Sequence, residues 1–226
     1  MYSSNNQLNE LVIFDFDGVL VDTEYATFKY YKKVLPHYNI NLKEKDFKYK
    51  IGRKSIDFFK SVMGSKFDPA IAEKLTQQKR LDFQQAPEKY VTPIPGAFKL
   101  VKQCHDAGLF IAIGSQNELP MLKATIDKFK LKKYFSIIRS IQDITNIKPH
   151  PEIFQGIAEE LNISPSNSVV IEDAPDGVAA AHAGGFNIIG VTTSADQKAL
   201  SGAHIFVKTP AELSPDIIQS LNKKAD

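Results

Sequence analysis

The sequence predicts a doubly wound α/β domain that is built on a parallel sheet and interrupted by a helical insertion. Three observations support this fold class: short apolar runs recur along the chain, helical periods separate them, and one long stretch contains helical periods only. Short runs rich in β-branched residues are typical of strands buried on both faces of a parallel sheet. Strands that alternate with helices favour right-handed crossovers within a single sheet.

Five strands of this kind are predicted, each bounded by glycine, asparagine or charged residues. They are Leu11–Phe14, Leu109–Ile113, Phe135–Ile138, Val169–Ile171 and Phe186–Val191. Apolar residues with a helical period lie between them, which predicts amphipathic helices packed on the sheet. One such set is Ala97, Leu100, Val101 and Cys104.

The segment from Asp22 to about Tyr90 lacks a convincing buried strand and has helical periods. Its apolar sets are Phe28, Tyr31, Leu35 and Ile56, Phe59, Val62, Met63. We therefore expect residues 1–21 and 92–226 to form the sheet domain and residues 22–91 to form an inserted helical domain. The stiff stretch Thr92-Pro93-Ile94-Pro95-Gly96 has turn chemistry, so we expect one hinge there and another near Val21.

Composition bounds the class of protein. The chain has 226 residues, 24% of them charged, and a formal net charge of +2, so no global field for nucleic acid or anionic membranes is expected. Residues Met1 to Glu10 are polar, and no apolar run approaches the length of a membrane span. The single cysteine, Cys104, has no partner for an internal disulfide. We expect a cytoplasmic, monomeric protein that binds neither nucleic acid nor membranes.

Polar residues follow the predicted strands at the edge where ligands bind in open parallel sheets. They are Asp15 and Asp17 after the first strand, Gly114-Ser115-Gln116-Asn117 after the second, Lys148 in the loop after the third, and Glu172 and Asp173 after the fourth. Carboxylates brought together repel, and a divalent cation with a lysine would compensate them. Oxygen ligands without a cysteine or histidine cluster favour Mg²⁺ over zinc.

Two further features at this edge point to an anion. Gly18 would let the chain turn tightly after Asp17. Ser115, with the amide of Gln116, would bind the anion at a helix start. Taken alone, Ser115 is also explained as a helix N-cap and Lys148 as part of a solvated turn.

Four motifs together are similar to those of the haloacid dehalogenase superfamily, and particularly of its β-phosphoglucomutase-like phosphatase branch. They are Phe14-Asp15-Phe16-Asp17-Gly18-Val19-Leu20-Val21-Asp22-Thr23-Glu24, Gly114-Ser115, Lys148-Pro149-His150-Pro151-Glu152-Ile153-Phe154 and Ile171-Glu172-Asp173-Ala174-Pro175-Asp176-Gly177. Their order and spacing span nearly the whole chain. The resemblance implies a Rossmann-like core domain with an inserted helical cap domain.

The resemblance also implies chemistry: a magnesium-dependent phosphatase acting on a small phosphorylated metabolite such as a sugar phosphate. Asp15 would be the nucleophile that forms an aspartyl-phosphate, Asp17 would be the general acid and base, and Lys148 would shield the charges. Mg²⁺ would be held by Asp15, the backbone carbonyl of Asp17 and Asp173, with Glu172 bound directly or through water.

The insertion contributes a candidate substrate contact. Gly52-Arg53-Lys54-Ser55 resembles the cap segment that faces the active site, so Arg53 is a candidate for binding a distal anionic group of the substrate. The competing interpretation is a solvated helix face, because lysines and acidic residues alternate around Arg53. Asp22, Thr23 and Glu24 are predicted to cap and start the first helix of the insertion.

Three other functions use similar residues. A phosphomutase would also use Asp15, but the cap histidine of β-phosphoglucomutase is matched here by Thr27, and no histidine occurs between Asp15 and Leu35. A dehalogenase displaces halide without a magnesium site, so the metal-dependent pattern of Lys148, Glu172 and Asp173 would be unexplained. A phospho-aspartate signalling module is one compact domain, so the helical insertion and the Asp-x-Asp pattern count against it.

Overall fold

A six-stranded sheet forms the centre of the protein. The computed structural model describes residues 10–49 and 55–221. Along these residues the strands are β1 (Leu11–Phe14), β2 (Val21–Asp22), β3 (Thr92–Pro93), β4 (Phe110–Gly114), β5 (Ile137–Arg139), β6 (Ser168–Glu172), β7 (Asn187–Val191) and β8 (Ile205–Val207). The helices are α1 (Glu24–Val34), α2 (Ser55–Met63), α3 (Pro69–Gln85), α4 (Pro87–Tyr90), α5 (Ala97–Asp106), α6 (Leu119–Lys128), α7 (Glu152–Leu161), α8 (Pro175–Ala183) and α9 (Pro215–Ser220).

The strand order is β5-β4-β1-β6-β7-β8, and every neighbouring pair in this sheet is parallel. From β1 the chain adds strands outward on one side and then crosses back to add β6, β7 and β8 on the other. The order therefore reverses between β1 and β6, which is where doubly wound folds form their ligand crevice. The predicted fold class is confirmed.

Strand β1 is central because every side chain in Leu-Val-Ile-Phe is fully buried. Val12 and Phe14 pack into one apolar core, with Leu100 and Val101 of α5. Leu11 and Ile13 point to the opposite face and pack into a second core, with residues of α7 and α8. Burying a side chain of this size contributes roughly 1.5–3 kcal/mol each, so the helix layers hold β1 firmly in position.

Every element of secondary structure between β2 and β3 in the described residues is helical. Helices α1 to α4 lie between β2 and β3, together with a 3₁₀ turn at Glu44–Tyr49. β2 and β3 pair antiparallel, Val21 with Pro93 and Asp22 with Thr92, so the two ends of the insertion are hydrogen-bonded to each other at the predicted hinges. The division into core and cap domains, 1–21 with 92–226 and 22–91, stays a prediction.

Some details differ from the predictions. β8 was not predicted, because its three residues are only half-buried and lie at the sheet edge. Ile56, expected in the apolar face of the insertion, is 38% exposed, and Phe58 is buried instead. No helix within the described ranges is long and apolar enough to cross a membrane.

Candidate active site

The carboxyl ends of β1, β4 and β6 open into a cavity of about 820 Å³. The predicted residues Asp15, Asp17, Ser115, Gln116, Lys148, Glu172 and Asp173 all line it. The structure thus brings seven of the eight sequence-predicted site residues together, and the eighth, Arg53, lies outside the described residues.

Lys148 is buried and joins two of the carboxylates. Its Nζ donates to Asp15 Oδ1 and to Glu172 Oε1, both at 2.6 Å, and to the carbonyl oxygen of Gly114 at 3.1 Å. The side chain is only 6% exposed, and Nζ lies 4.8 Å from the ring centroid of Phe154. A solvated turn is therefore the wrong interpretation of Lys148.

The loop that carries Lys148 is fixed by the start of α7. Glu152, in the first turn of that helix, accepts hydrogen bonds from the backbone amides of Thr145 at 2.7 Å and Asn146 at 2.8 Å. These bonds join the loop before Lys148 to the helix after it. Lys148 therefore reaches Asp15 and Glu172 from a loop whose conformation is held by hydrogen bonds to Glu152.

Glu172 uses both carboxylate oxygens within the protein. Oε1 accepts from Lys148, and Oε2 accepts from the backbone amides of Asp173 at 2.9 Å and Ala174 at 3.1 Å. Gly177 packs directly against the Glu172 carboxylate, and a β-carbon built on Gly177 would lie 1.8 Å from Oε1. Glycine at 177 is therefore needed for Glu172 to keep this position.

Asp173 faces two hydroxyl groups from the loop after β7. Its Oδ2 accepts from Ser194 Oγ and, at 3.2 Å, from Thr193 Oγ1. Thr193 Oγ1 also lies 2.6 Å from the carbonyl oxygen of Gly18. Spacing alone did not show that Ser194 reaches this edge of the sheet, because the contact depends on how the loop folds back.

Burial shifts the pKa values of Asp15 and Asp173. It raises the pKa of Asp15 well above its ordinary value, although the Lys148 ammonium opposes this. Burial, with the neighbouring Glu172 charge, raises the pKa of Asp173 to about 7. The same two carboxylates, Asp15 and Glu172, raise the pKa of Lys148 despite its burial, so the lysine stays charged.

These carboxylates fit a divalent cation. One oxygen each from Asp15, Glu172 and Asp173 lies within 4.8 Å of the others. Lys148 pairs with Asp15 and Glu172, whereas the recorded side-chain partners of Asp173 are the hydroxyls of Thr193 and Ser194, so a hard cation would compensate the remaining negative charge. The oxygen-only set matches the ligand preference of Mg²⁺.

Asp17 is held apart from this cluster by two donors. Thr23 Oγ1 donates to its Oδ1, and Asn117 Nδ2 donates to its Oδ2 at 2.5 Å. Of the residues predicted to cap and start α1, Asp22 does accept from the backbone amide of Tyr25 at 3.1 Å, whereas the Thr23 side chain makes no cap bond to α1. Sequence reasoning missed both contacts of Asp17, although Asn117 stood in the polar run after β4.

Ser115 and Gln116 reach the cavity from a loop. α6 begins at Leu119, so the predicted helix start at Ser115 is wrong, and so is its interpretation as an N-cap. The Ser115 side chain is buried and accepts a hydrogen bond from the Asn117 amide at 3.2 Å, whereas Gln116 is exposed. Pro120 has no backbone N–H, and its ring would clash with a preceding helical turn. It therefore lies in the first turn of α6, and the helix does not extend back to Ser115.

Gly18 closes the turn after Asp17. Its φ of +73° is disfavoured for residues with a side chain, and a β-carbon there would lie 1.7 Å from Asp173 Oδ2. The predicted tight turn at Gly18 is confirmed. Glycine is required at position 18 for two reasons: the backbone has a positive φ there, and the Asp173 carboxylate packs against it.

Known proteins are similar to this chain in sequence and fold. The family model described as haloacid dehalogenase-like hydrolase matches residues 12–191. The phosphorylated carbohydrates phosphatase of Thermotoga maritima is 29% identical over 90% of this chain and 96% of its own length. The Arabidopsis thaliana protein SUPPRESSOR OF QUENCHING 1, chloroplastic, is 32% identical over 85% of this chain, which spans only 19% of that protein. A solved Thermotoga maritima structure assigned as a beta-phosphoglucomutase has a TM-score of 0.80 and 28% identity, covering 94% of this chain and 99% of that one.

Proposed function

The chain belongs to the haloacid dehalogenase-like hydrolase family, and we propose that it is a Mg²⁺-dependent phosphatase of small phosphorylated metabolites. One observation carries the proposal most directly. Asp15 lies buried against Lys148 in the cavity, while Asp17, two residues later, is held by a separate pair of hydrogen bonds. One carboxylate is thus available as nucleophile and the other for proton transfer.

In the first half-reaction, an Asp15 oxygen attacks the phosphorus of the monoester. The bond between phosphorus and the ester oxygen breaks, and the leaving oxygen takes a proton from Asp17. The alcohol departs, and Asp15 carries the phosphoryl group as a mixed anhydride. Lys148, 2.6 Å from Asp15, offsets negative charge as the anionic substrate approaches.

In the second half-reaction, Asp17 takes a proton from water, and the water oxygen attacks the phosphorus of the aspartyl-phosphate. The bond between phosphorus and the Asp15 oxygen breaks, which releases inorganic phosphate and restores the carboxylate. Thr23 and Asn117 keep the Asp17 carboxylate in one orientation between these steps.

Mg²⁺ would be held by Asp15, Asp173 and the backbone carbonyl of Asp17, with Glu172 binding directly or through water, and it would orient the phosphoryl group and screen its charge. The protein's own contribution is to hold these oxygens together before the ion arrives.

The substrate would be held by the remaining predicted residues. Ser115 and the Gln116 amide would bind the reacting phosphate, and Arg53 is the candidate donor to the part of the substrate beyond it. The Thermotoga maritima relative named as a phosphatase of phosphorylated carbohydrates supports a sugar phosphate or similar compound.

A phosphomutase is the second candidate, because a solved structure assigned as a beta-phosphoglucomutase has the same fold over nearly its whole length. The position that carries a cap histidine in β-phosphoglucomutase is Thr27 here, which is only 3% exposed and does not line the cavity. A buried threonine cannot exchange protons with a substrate, so hydrolysis remains the better supported reaction.

Phosphate release from a panel of phosphorylated metabolites, with and without Mg²⁺, tests the proposal. We expect Mg²⁺-dependent release by the wild type and none by Asp15→Asn. If the wild type hydrolyses no member but becomes phosphorylated on Asp15, the mutase or the signalling function replaces the phosphatase.

A further inference from the structure

Two aromatic rings from the helical insertion line the cavity that holds Asp15. They are Tyr25, in the first turn of α1, and Phe47, in the 3₁₀ turn Glu44–Tyr49. Their ring centroids are 5.2 Å apart, with planes inclined at 66°. Phe28 packs against both rings and is fully buried, whereas Tyr25 and Phe47 are only half-buried. Phe28 therefore fills the core, and the other two rings keep surface for a ligand.

The Tyr25 ring is held in place by its surroundings. Lys29 Nζ lies 4.3 Å from the ring centroid, and the Tyr25 hydroxyl lies 3.5 Å from Glu44 Oε2. Glu44 in turn forms an exposed ion pair with Lys32 at 2.5 Å. An aromatic side chain that is already restrained loses little conformational freedom when a ligand packs on it.

Carboxylates outside the proposed metal cluster line the same cavity. Asp22 precedes α1, and Asp176 lies in the first turn of α8. An ionised carboxylate accepts hydrogen bonds from hydroxyl groups, whereas it repels a second anionic group. Aromatic rings contact apolar C–H surface. A polyhydroxylated carbon skeleton offers both hydroxyl donors and C–H surface.

We propose that Tyr25 and Phe47 form a leaving-group subsite that, with Asp22 and Asp176, selects uncharged polyhydroxylated skeletons over small carboxylated ones. This inference rests on the proposed phosphatase function and names the residues that read the part of the substrate beyond the phosphate. The rings hold the C–H face of the leaving group, and the carboxylates bind its hydroxyls.

Steady-state kinetics on two substrates tests the subsite. Sorbitol 6-phosphate carries a long polyol, and acetyl phosphate carries a leaving group too small to fill the subsite. We expect Tyr25→Ala and Phe47→Ala to lower the ratio of kcat/KM for sorbitol 6-phosphate to that for acetyl phosphate by about five- to tenfold. The loss should fall mainly on KM, and Phe47→Tyr, which keeps a ring, should restore most of the ratio.

Phe67→Ala is the matched control, because Phe67 is a half-buried ring of the insertion that does not line this cavity. It should leave the ratio unchanged even if it lowers the melting temperature. The wild type should also prefer sorbitol 6-phosphate to phosphoglycolate by about tenfold or more. An unchanged ratio in both ring variants, or a preference for phosphoglycolate, overturns the subsite and leaves the phosphatase standing. Absence of any wild-type phosphate release overturns the proposed function, and the subsite with it.

Discussion

Gly18 packs directly against Asp173, so that a β-carbon at position 18 would lie 1.7 Å from Asp173 Oδ2. The contact joins the turn after β1 to the residue after β6, across the point where the strand order reverses. Asp173 and the backbone around Asp17 are thereby placed next to each other. The proposed cation ligands come from these same two segments.

Gly18→Ala should therefore remove Mg²⁺ binding and lower kcat by about 100-fold, since the new methyl group must displace Asp173. Isothermal titration with Mg²⁺ and phosphate release measure the two effects. Gly108→Ala is the matched control: its φ is +83°, but a β-carbon there meets nothing within 4 Å. It should cost about 1 kcal/mol of stability and leave Mg²⁺ binding intact. Equal Mg²⁺ affinity in the two variants would show that Gly18 does not position Asp173.

Lys148→Met should leave the buried carboxylates of Asp15 and Glu172 without their shared ammonium partner. We expect the metal-free protein to lose about 3–5 kcal/mol of unfolding free energy at neutral pH, because removing one partner of a buried ion pair leaves the other charge buried and uncompensated. Activity should fall by at least about 100-fold. Urea unfolding and phosphate release are the measurements, and Lys132→Met, at an exposed position, is the control. A loss no larger than in that control would mean that Lys148 does not hold the carboxylates together.

The stability of the metal-free protein should depend on Asp173 between pH 4 and 7. The folded-state pKa is raised from 3.8 to about 7, so over this window the folded protein holds a proton that the unfolded chain has released. Stability from this group is therefore present at low pH and is lost as pH rises, at up to about 1.4 kcal/mol per pH unit. Asp15, whose pKa is also raised, acts in the same direction.

Urea unfolding of wild type and Asp173→Asn at pH 5 and pH 7.5 isolates this contribution. The stability of the wild type relative to the variant should decrease between the two pH values. Mg²⁺ should stabilise the wild type more at pH 7.5 than at pH 5, because the ion replaces protons on the carboxylates. A wild type that gains stability over the variant as pH rises would contradict the sign.

The sequence was sufficient to predict five of the six strands of the sheet and the edge that carries the site, and the reason is geometric. In a parallel sheet the carboxyl ends of neighbouring strands meet, so Asp15, Glu172 and Asp173 could be placed together from strand patterns alone. Contacts made by loops were not predictable in this way. Asn117 meets Asp17 across 100 residues, and that pairing depends on a side-chain direction in a non-helical turn that no periodicity encodes.

Asn117→Ala should slow the chemical step without weakening the proposed metal site. Removing the amide leaves the Asp17 carboxylate with Thr23 as its recorded donor, so its orientation is less restricted and kcat should fall about tenfold. Mg²⁺ affinity should stay within about twofold, because the side chain of Asn117 bonds to Asp17, which is outside the carboxylate cluster found among the described residues. Glu118→Gln, which removes the charge of Glu118 from an exposed ion pair with Arg80, is the control. A reduced Mg²⁺ affinity with normal kcat would assign Asn117 to the metal site instead.

Asp17→Asn should trap the covalent intermediate when the leaving group needs no proton. Acetate departs from acetyl phosphate as a weakly basic anion, so Asp15 can be phosphorylated without an acid at position 17. The following hydrolysis lacks its base, and phospho-Asp15 should therefore accumulate, as intact-protein mass spectrometry would show by the gain of one phosphoryl group. The wild type should turn the intermediate over, and Asp15→Asn should acquire none. A wild-type phosphoenzyme as long-lived as that of Asp17→Asn would indicate that Asp17 does not drive hydrolysis, and would favour a phospho-aspartate signalling protein over an enzyme.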